Sequence, residues 1–198
     1  MTVVAVEYRT GSRFDAGPLE QITDATTALG WVSRNASQYG IDPQRIGVAG
    51  FSSGSTLALL LGTRGVEQPM AAPRSPAERV YPAAVMVTGA CPNPSGSRED
   101  GYFRKMIARK GIPSDYSPMA LIARGQPPML VIQATGDEYC AYEDARAFVE
   151  RYVAAGNVAE LATVEGAGHF FGFYYPPGQR QMREAIANAL RGWGWTTP

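Results

Sequence analysis

The 198-residue sequence lacks several features that would mark particular classes of protein. Its 18 basic and 18 acidic residues balance, and no Lys-rich or Arg-rich run is present, which argues against a nucleic-acid or anionic-lipid surface. No apolar stretch approaches the roughly 18 residues of a membrane span. The N-terminus carries no charged leader with an apolar segment and cleavage site, so the sequence favours a cytoplasmic protein.

Cysteine and histidine are scarce. Cys91 and Cys140 are too few for a zinc site on their own, since such a site usually takes four ligands or three plus water. Both cysteines follow predicted strands at one edge of the sheet, where a disulfide could form, but two independent thiols are the favoured prediction. His169 is the only histidine. A lone histidine is usually structural or incidental, so only its position in the chain can indicate a catalytic role.

What is present is an alternation of apolar strands and amphipathic helices, with 45% hydrophobic residues. This pattern predicts an α/β fold with a mostly parallel sheet flanked by helices. The chain is the right length for one domain, residues 1–198, with residues 91–117 as a small lid segment. The predicted strands are Val3–Tyr8, Ile46–Ala49, Ala83–Val87, Met129–Gln133 and Glu160–Val164. The predicted helices are residues 19–39, Thr56–Leu61, Tyr142–Ala155 and Gln179–Trp193, with short helical pieces at Phe103–Ala108 and Pro118–Ala123.

The segment Gly50-Phe-Ser-Ser-Gly54 joins a predicted strand directly to a predicted helix. A G-x-S-x-G pentapeptide alone also occurs in ordinary turns, but the strand before it and the apolar helix after it are the context of a nucleophile elbow. We expect glycine at both flanks to allow close approach of strand and helix. Ser52 is the predicted nucleophile.

Two further polar residues follow later strands. Asp137 lies after the Met129–Gln133 strand, with Glu138 as an alternative acid, and His169 lies in a glycine-flanked loop after the last strand. Ligands of parallel sheets bind beyond the carboxyl ends of the strands, and the order Ser, Asp, His is that of the α/β-hydrolase triad. Imidazole is the group that can take and return the serine proton near neutral pH, which makes His169 the predicted base.

Several stretches resemble the esterase/lipase branch of the α/β hydrolases, most closely the small acetyl-esterase group related to hormone-sensitive lipase and carbohydrate acetylesterases. They are Val3–Arg9, Ala36–Ile46, Gly50–Gly54 and Ser117–Ile132. The resemblance covers nearly the whole chain and is loosest over residues 62–115. It implies Ser52 as nucleophile, Asp137 as acid and His169 as base, with the backbone N–H of Ser53 as an oxyanion donor.

The sequence departs from this family at its start. Family members have about three strands before the one at Val3, and a His-Gly-Gly-Gly-type loop that supplies a second oxyanion donor. We therefore expect a domain that is N-terminally truncated relative to the family. The Val3 strand should pair either with the elbow strand or with a segment of another subunit. The second arrangement predicts a homo-oligomer through this edge.

These observations predict a serine carboxylesterase that hydrolyses short, acetyl-type esters through an acyl-enzyme intermediate, and the family resemblance implies acetylated sugars as one substrate class. The expected partner is a small-molecule ester, with no cofactor, metal, nucleic acid or membrane. Two alternatives stay open. One is an amidase or formamidase that uses the same triad. The other is a non-catalytic or barely active hydrolase that serves as a structural or binding module. The aromatic cluster Phe170–Tyr175 fits equally well as a pocket wall and as core cover.

Overall fold

Four parallel strands form the central sheet of the molecule. The computed structural model describes residues 1–67, 79–93 and 117–196. These strands are β1 (Val48–Phe51), β4 (Val85–Thr88), β5 (Met129–Ala134) and β6 (Ala159–Val164). Their order in the sheet is β1-β4-β5-β6, with register pairs Val48 to Val85, Val85 to Met129 and Met129 to Ala159. A separate antiparallel pair joins β2 (Val66–Glu67) to β3 (Arg79–Val80).

Helices cover both faces of the sheet, as parallel strands require. The helices are α1 (Gly11–Phe14), α2 (Pro18–Asn35), α3 (Ser53–Arg64), α4 (Tyr142–Ala154), α5 (Phe171–Tyr174) and α6 (Pro176–Gly192). On one face, α3 and α4 pack on alternate residues of β4 and β5 such as Val87 and Val131. On the other face, α6 packs on Leu130 and Ile132. Short 3-10 turns occupy Ala36–Tyr39, Pro43–Arg45 and Pro118–Leu121.

The predicted α/β fold is confirmed, and most predicted elements lie within a few residues of their observed bounds. Local signals explain where helices begin and end. In α2, Pro18 occupies the first turn and the Glu20 side chain accepts a hydrogen bond from the Gly17 N–H. After the 3-10 turn that follows α2, Gly40 adopts φ +64°, a conformation that glycine reaches without steric cost.

The predicted strand at Val3–Tyr8 is wrong. Residues 1–10 have no regular secondary structure, and no hydrogen bond between backbone groups joins residues 1–9 to another element in the described part of the chain. Val3 and Val4 are 80% and 47% exposed. Arg9 anchors the segment through hydrogen bonds from its guanidinium and its backbone N–H to Asp24 in α2, and this pairing lowers the pKa of Asp24.

A groove of about 270 Å³ separates this N-terminal segment from β1. Its walls include Val4, Val6, Val48 and Leu57. Within the described residues β1 is an edge strand that pairs with β4 only. The groove therefore follows the unpaired side of the strand that leads to Ser52.

The predicted lid at residues 91–117 and the short helix at Phe103–Ala108 fall largely or wholly outside the described residues. None of the helices found in the described ranges is long and apolar enough to cross a bilayer.

Candidate active site

The chain turns sharply at Ser52, between the end of β1 and the start of α3. Ser52 has φ +53° and ψ −118°, and Asp15 is the other non-glycine residue with positive φ among those described. Such backbone geometry is costly for an L-residue and clusters at functional sites. The Ser52 N–H donates to the Thr88 carbonyl at the end of β4, and the Ser52 carbonyl accepts from the Ser55 N–H. The turn thus presents Ser52 at the carboxyl edge of the sheet.

The two glycines of the elbow have different roles. A Cβ on Gly50 would collide with the backbone of Gly54 and approach the Ser55 nitrogen to 2.7 Å, so close approach of strand and helix requires glycine here. A Cβ on Gly54 would meet nothing within 4 Å. The expectation that both flanks need glycine for this approach is therefore wrong for Gly54.

The structure brings Ser52, His169 and Asp137 into one hydrogen-bonded row. His169 Nε2 lies 2.8 Å from Ser52 Oγ, and His169 Nδ1 lies 2.7 Å from Asp137 Oδ2. The side chains of His169 and Asp137 are 2% and 0% exposed. Because the carboxylate can only accept, Nδ1 carries the proton and Nε2 faces the serine hydroxyl as an acceptor. This is the geometry in which imidazole can remove a serine proton.

The Asp137 carboxylate is fixed by four hydrogen bonds. Oδ1 accepts from the backbone N–H groups of Tyr139 and Cys140, at 2.9 and 2.8 Å. Oδ2 accepts from Gln133 Nε2 at 2.9 Å as well as from His169. A short turn after β5 therefore holds the carboxylate in one orientation, as a charged buried group requires.

Glu138, the alternative acid, has a different contact. Its Oε2 accepts from the backbone N–H of His169 at 3.1 Å, whereas the ring Nδ1 bonds to Asp137. Of the two adjacent carboxylates, Asp137 contacts the imidazole and Glu138 supports the loop that carries it.

Ser53 begins α3 directly after Ser52. Its backbone N–H donates to no acceptor within the ranges that the structure describes, which leaves it available beside the serine hydroxyl. The Ser53 hydroxyl lies 3.1 Å from the Tyr8 hydroxyl, so the N-terminal segment reaches the edge of the site. A helix N-terminus also favours negative charge at this position.

Aromatic rings surround the imidazole. The rings of Phe51, Tyr139 and Phe170 have centroids 4.9, 5.0 and 5.1 Å from that of His169. Phe170 and Phe173 are 43% and 56% exposed, whereas the intervening Phe171 is buried against α6. Phe171 thus belongs to the core, whereas Phe170 packs on His169 and Phe173 packs on Phe51, and their service as a pocket wall stays a prediction.

Cys91 and Cys140 form a disulfide with a Cα–Cα distance of 5.1 Å. The favoured prediction of two independent thiols is therefore wrong, because the ends of β4 and β5 bring both residues to the same edge. Asp137, Cys140 and His169 have potential ligand atoms within 4.8 Å of one another. The disulfide removes the Cys140 thiolate from that set, however, and a thiolate is the form that binds metal.

Gln133 was missed in the sequence analysis. It is fully buried, and its amide contacts both Asp137 and the backbone at Ala90. The signal was present, since Gln133 is the one polar residue in the otherwise apolar β5, Met129–Ala134. A polar side chain in a fully buried strand needs partners, and here they lie in the site.

Known proteins share this architecture. The family model described as BD-FAE matches residues 1–91. Esterase LipC of Mycobacterium tuberculosis is 31% identical over 183 residues, which cover 85% of this chain and 45% of that protein. Ethyl acetate hydrolase of Pseudomonas putida is 28% identical over 186 residues and 55% of its length. The chain thus spans about half the length of these curated relatives.

Comparison with solved structures also finds esterases. A propionate-bound thermophilic esterase, Est2 of the planctomycete Thermogutta terrifontis, superposes with a TM-score of 0.79 and 29% identity. The match covers 97% of this chain and 72% of that one. Further structures of that esterase are described as butyrate-bound and as phosphorylated by paraoxon. The sheet order, the elbow and these matches define an α/β hydrolase. The relatives and the solved structures that it matches are esterases, and the chain is similar to esterases of that class over most of its length.

Proposed function

We propose that this chain carries the catalytic centre of a serine carboxylesterase. The observation that supports it most is the pair of hydrogen bonds on the His169 ring, to Ser52 Oγ at 2.8 Å and to Asp137 Oδ2 at 2.7 Å. The imidazole is buried and oriented from both sides, and the serine occupies a strained turn. This arrangement is suited to nucleophilic acyl transfer.

In the first half-reaction, Ser52 Oγ attacks the ester carbonyl carbon while His169 Nε2 accepts the serine proton. The carbonyl π electrons move to oxygen, and the Ser53 N–H donates to the resulting oxyanion. Collapse breaks the bond to the alcohol oxygen, which leaves with the proton from Nε2. Asp137 keeps the ring in the required tautomer and stabilises the imidazolium without becoming protonated.

The second half-reaction repeats this sequence with water. His169 Nε2 takes a proton from water as its oxygen attacks the acyl carbon. The tetrahedral intermediate collapses by breaking the bond to Ser52 Oγ, and the proton on Nε2 returns to the serine oxygen. The products are a carboxylic acid and the free enzyme, and no further reactant is required.

We further propose that the substrates are small-molecule esters with short acyl groups. The names of the relatives support a short chain, since one hydrolyses ethyl acetate and Est2 was solved with propionate and with butyrate. Phe170, which lies beside the imidazole, and Phe173, which packs on Phe170, offer an apolar wall on which the acyl or alcohol part of the ester can pack. Acetylated sugars fit the same proposal, because sugar rings stack on aromatic faces.

The proposal is tested with p-nitrophenyl esters of two, three, four and eight carbons and with a fluorophosphonate probe. The matched control is Ser37→Ala, because Ser37 is exposed on the turn after α2. We expect wild type and Ser37→Ala to hydrolyse acetate to butyrate esters and to take up the probe. Ser52→Ala and His169→Gln should lose about 10⁴-fold or more in kcat/KM.

A wild-type protein that is neither labelled nor faster than Ser52→Ala would support the non-catalytic alternative. Equal labelling of wild type and Ser52→Ala would place the nucleophile elsewhere. Preference for p-nitroanilides over p-nitrophenyl esters would support the amidase alternative instead.

A further inference from the structure

Gln133 is the second-to-last residue of β5 and is fully buried. It lies just before the loop after β5 that carries Asp137, called the acid loop below. Its Oε1 accepts the Ala90 N–H at 2.5 Å, from the loop after β4. Its Nε2 donates to Asp137 Oδ2 at 2.9 Å and to the Cys140 carbonyl at 2.8 Å, both in the loop after β5. One amide thus joins two loops and contacts the carboxylate that holds His169.

The chemistry of these partners fixes which way the amide faces. The Ala90 N–H is a donor, so it requires the amide oxygen. The Cys140 carbonyl and the Asp137 carboxylate are acceptors, so they require the two N–H groups. The side chain therefore has one satisfied orientation, and in that orientation it always presents a donor to Asp137.

Gln133 donates to the carboxylate oxygen of Asp137 that also contacts the imidazole. Asp137 Oδ2 is the atom that accepts from His169 Nδ1, whereas the backbone N–H groups of Tyr139 and Cys140 hold Oδ1. Without Gln133, Oδ2 would have no partner besides the imidazole among the described contacts. Apart from the imidazole itself, only the contacts at Oδ1 would then oppose rotation of the carboxylate.

We propose that Gln133 is a positioning residue for ester hydrolysis. It holds Asp137 Oδ2 toward His169 and ties the acid loop to the loop after β4. This inference rests on the proposed carboxylesterase function. Gln133 touches no reacting atom, so its effect reaches the reaction only through Asp137.

A second buried glutamine provides a matched control. Gln126 accepts from the Ala123 N–H and donates to the carbonyls of Thr63 and Leu121, so it also makes one accepted and two donated hydrogen bonds. None of its partners belongs to the triad. Gln133→Met and Gln126→Met each remove a buried amide at similar side-chain length, and both should lower the melting temperature.

The experiment measures kcat and KM of both variants on p-nitrophenyl acetate, alone and combined with Asp137→Asn. We expect Gln133→Met to lower kcat about 10- to 100-fold at a KM within about 2-fold of wild type, because small misplacements of oriented groups cost rate and not binding. Gln126→Met should keep kcat within about 2-fold. In the Asp137→Asn background, Gln133→Met should cost less than about 2-fold more, since both changes act on the same group.

Equal kcat losses in Gln133→Met and Gln126→Met would overturn the proposal, and so would fully multiplicative losses in the combined variant. Should Gln133→Met not fold, Gln133→Asn is compared with Gln126→Asn, because the shorter amide stays polar and loses reach. A wild type with no activity above Ser52→Ala rejects the proposed function and this inference together. An active wild type with an unaffected Gln133→Met rejects this inference alone.

Discussion

Adjacent carboxylates at the acid loop divide two tasks. Asp137 bonds to the imidazole, and Glu138 bonds to the backbone N–H of the same residue, His169. We expect Asp137→Asn to lower kcat about 10⁴-fold, because an amide can hold the wrong tautomer of the ring. Glu138→Gln keeps an acceptor of the same length and should lower kcat less than about 10-fold. Steady-state kinetics on p-nitrophenyl acetate measure both, and a reversed ranking would make Glu138 the acid.

The residues of this site differ in how well the amino-acid sequence alone predicts their roles. Ser52 and its elbow follow from a local pattern, and His169 follows from being the only histidine in a loop at the right edge. The choice between Asp137 and Glu138 depends on side-chain direction, which adjacent positions do not reveal. Gln133 belongs to no motif, since its role arises from a contact with Ala90 that is 43 residues away in the chain.

At the scale of elements, the crossing of β1 and α3 depends on one glycine. Gly50→Ala would bring its Cβ into the backbone at Gly54. We expect a loss of about 1–3 kcal/mol in the free energy of unfolding, because this backbone cannot move aside cheaply. Activity should fall with it, since any shift of the crossing displaces Ser52.

Gly54→Ala is the control for that change. It lies in the first turn of α3 with open space at its Cβ, so alanine should be neutral or stabilise the fold by up to about 1 kcal/mol. Chemical denaturation of the two variants checks both expectations. If Gly54→Ala destabilises as much as Gly50→Ala, steric conflict at the crossing does not explain the requirement for glycine.

The Cys91–Cys140 disulfide links the loops after β4 and β5, and its two cysteines are separated by 49 positions in the sequence. For a loop of this size, the chain-entropy model gives about 4 kcal/mol of stabilisation. The double variant Cys91→Ala/Cys140→Ala should therefore melt well below wild type. Dithiothreitol should lower the melting temperature of wild type and leave that of the double variant unchanged. An equal response of both proteins would show that the bond is absent in solution.

Elements were predicted well where their signal is local and poorly where it depends on pairing. The apolar run Met129–Gln133 forms a strand because neighbours on both sides satisfy its backbone. Val3–Tyr8 has an equally strong apolar, β-branched pattern, yet it lies beside a groove and not beside a partner strand. Strand propensity measures how well a segment fits into a sheet. The segment itself does not specify whether a neighbouring strand is present to pair with it.

For the whole molecule, the open side of β1 has a consequence for solution behaviour. An unpaired strand edge next to exposed valines invites pairing with another chain. We predict concentration-dependent self-association through this edge, measured by light scattering. Val4→Lys should reduce it, because it places a charge on the groove that borders the open side of β1, and a charge there opposes strand addition.

Val153→Lys is the matched control, since Val153 is 49% exposed on α4 and Val4 is 47% exposed beside the groove. It should leave association unchanged. A monomer at high concentration, or equal effects of the two lysines, would contradict an edge-mediated contact.

The disulfide also bears on where the protein resides. Such bonds persist in oxidising compartments and are rare in the cytosol. The cytoplasmic location that the sequence favours stays a prediction, and the redox state of Cys91 and Cys140 in protein isolated from its host is a measurement that tests it.

The single histidine makes this chain unusually easy to follow by spectroscopy. With ¹⁵N-labelled histidine, an untagged sample would give one imidazole spin system, and that system belongs to the group proposed as the general base. Its two nitrogen shifts report the tautomer and the protonation state directly, with no assignment by mutagenesis. Inhibitors, substrate analogues and loop variants could thus each be judged by how they perturb one pair of resonances.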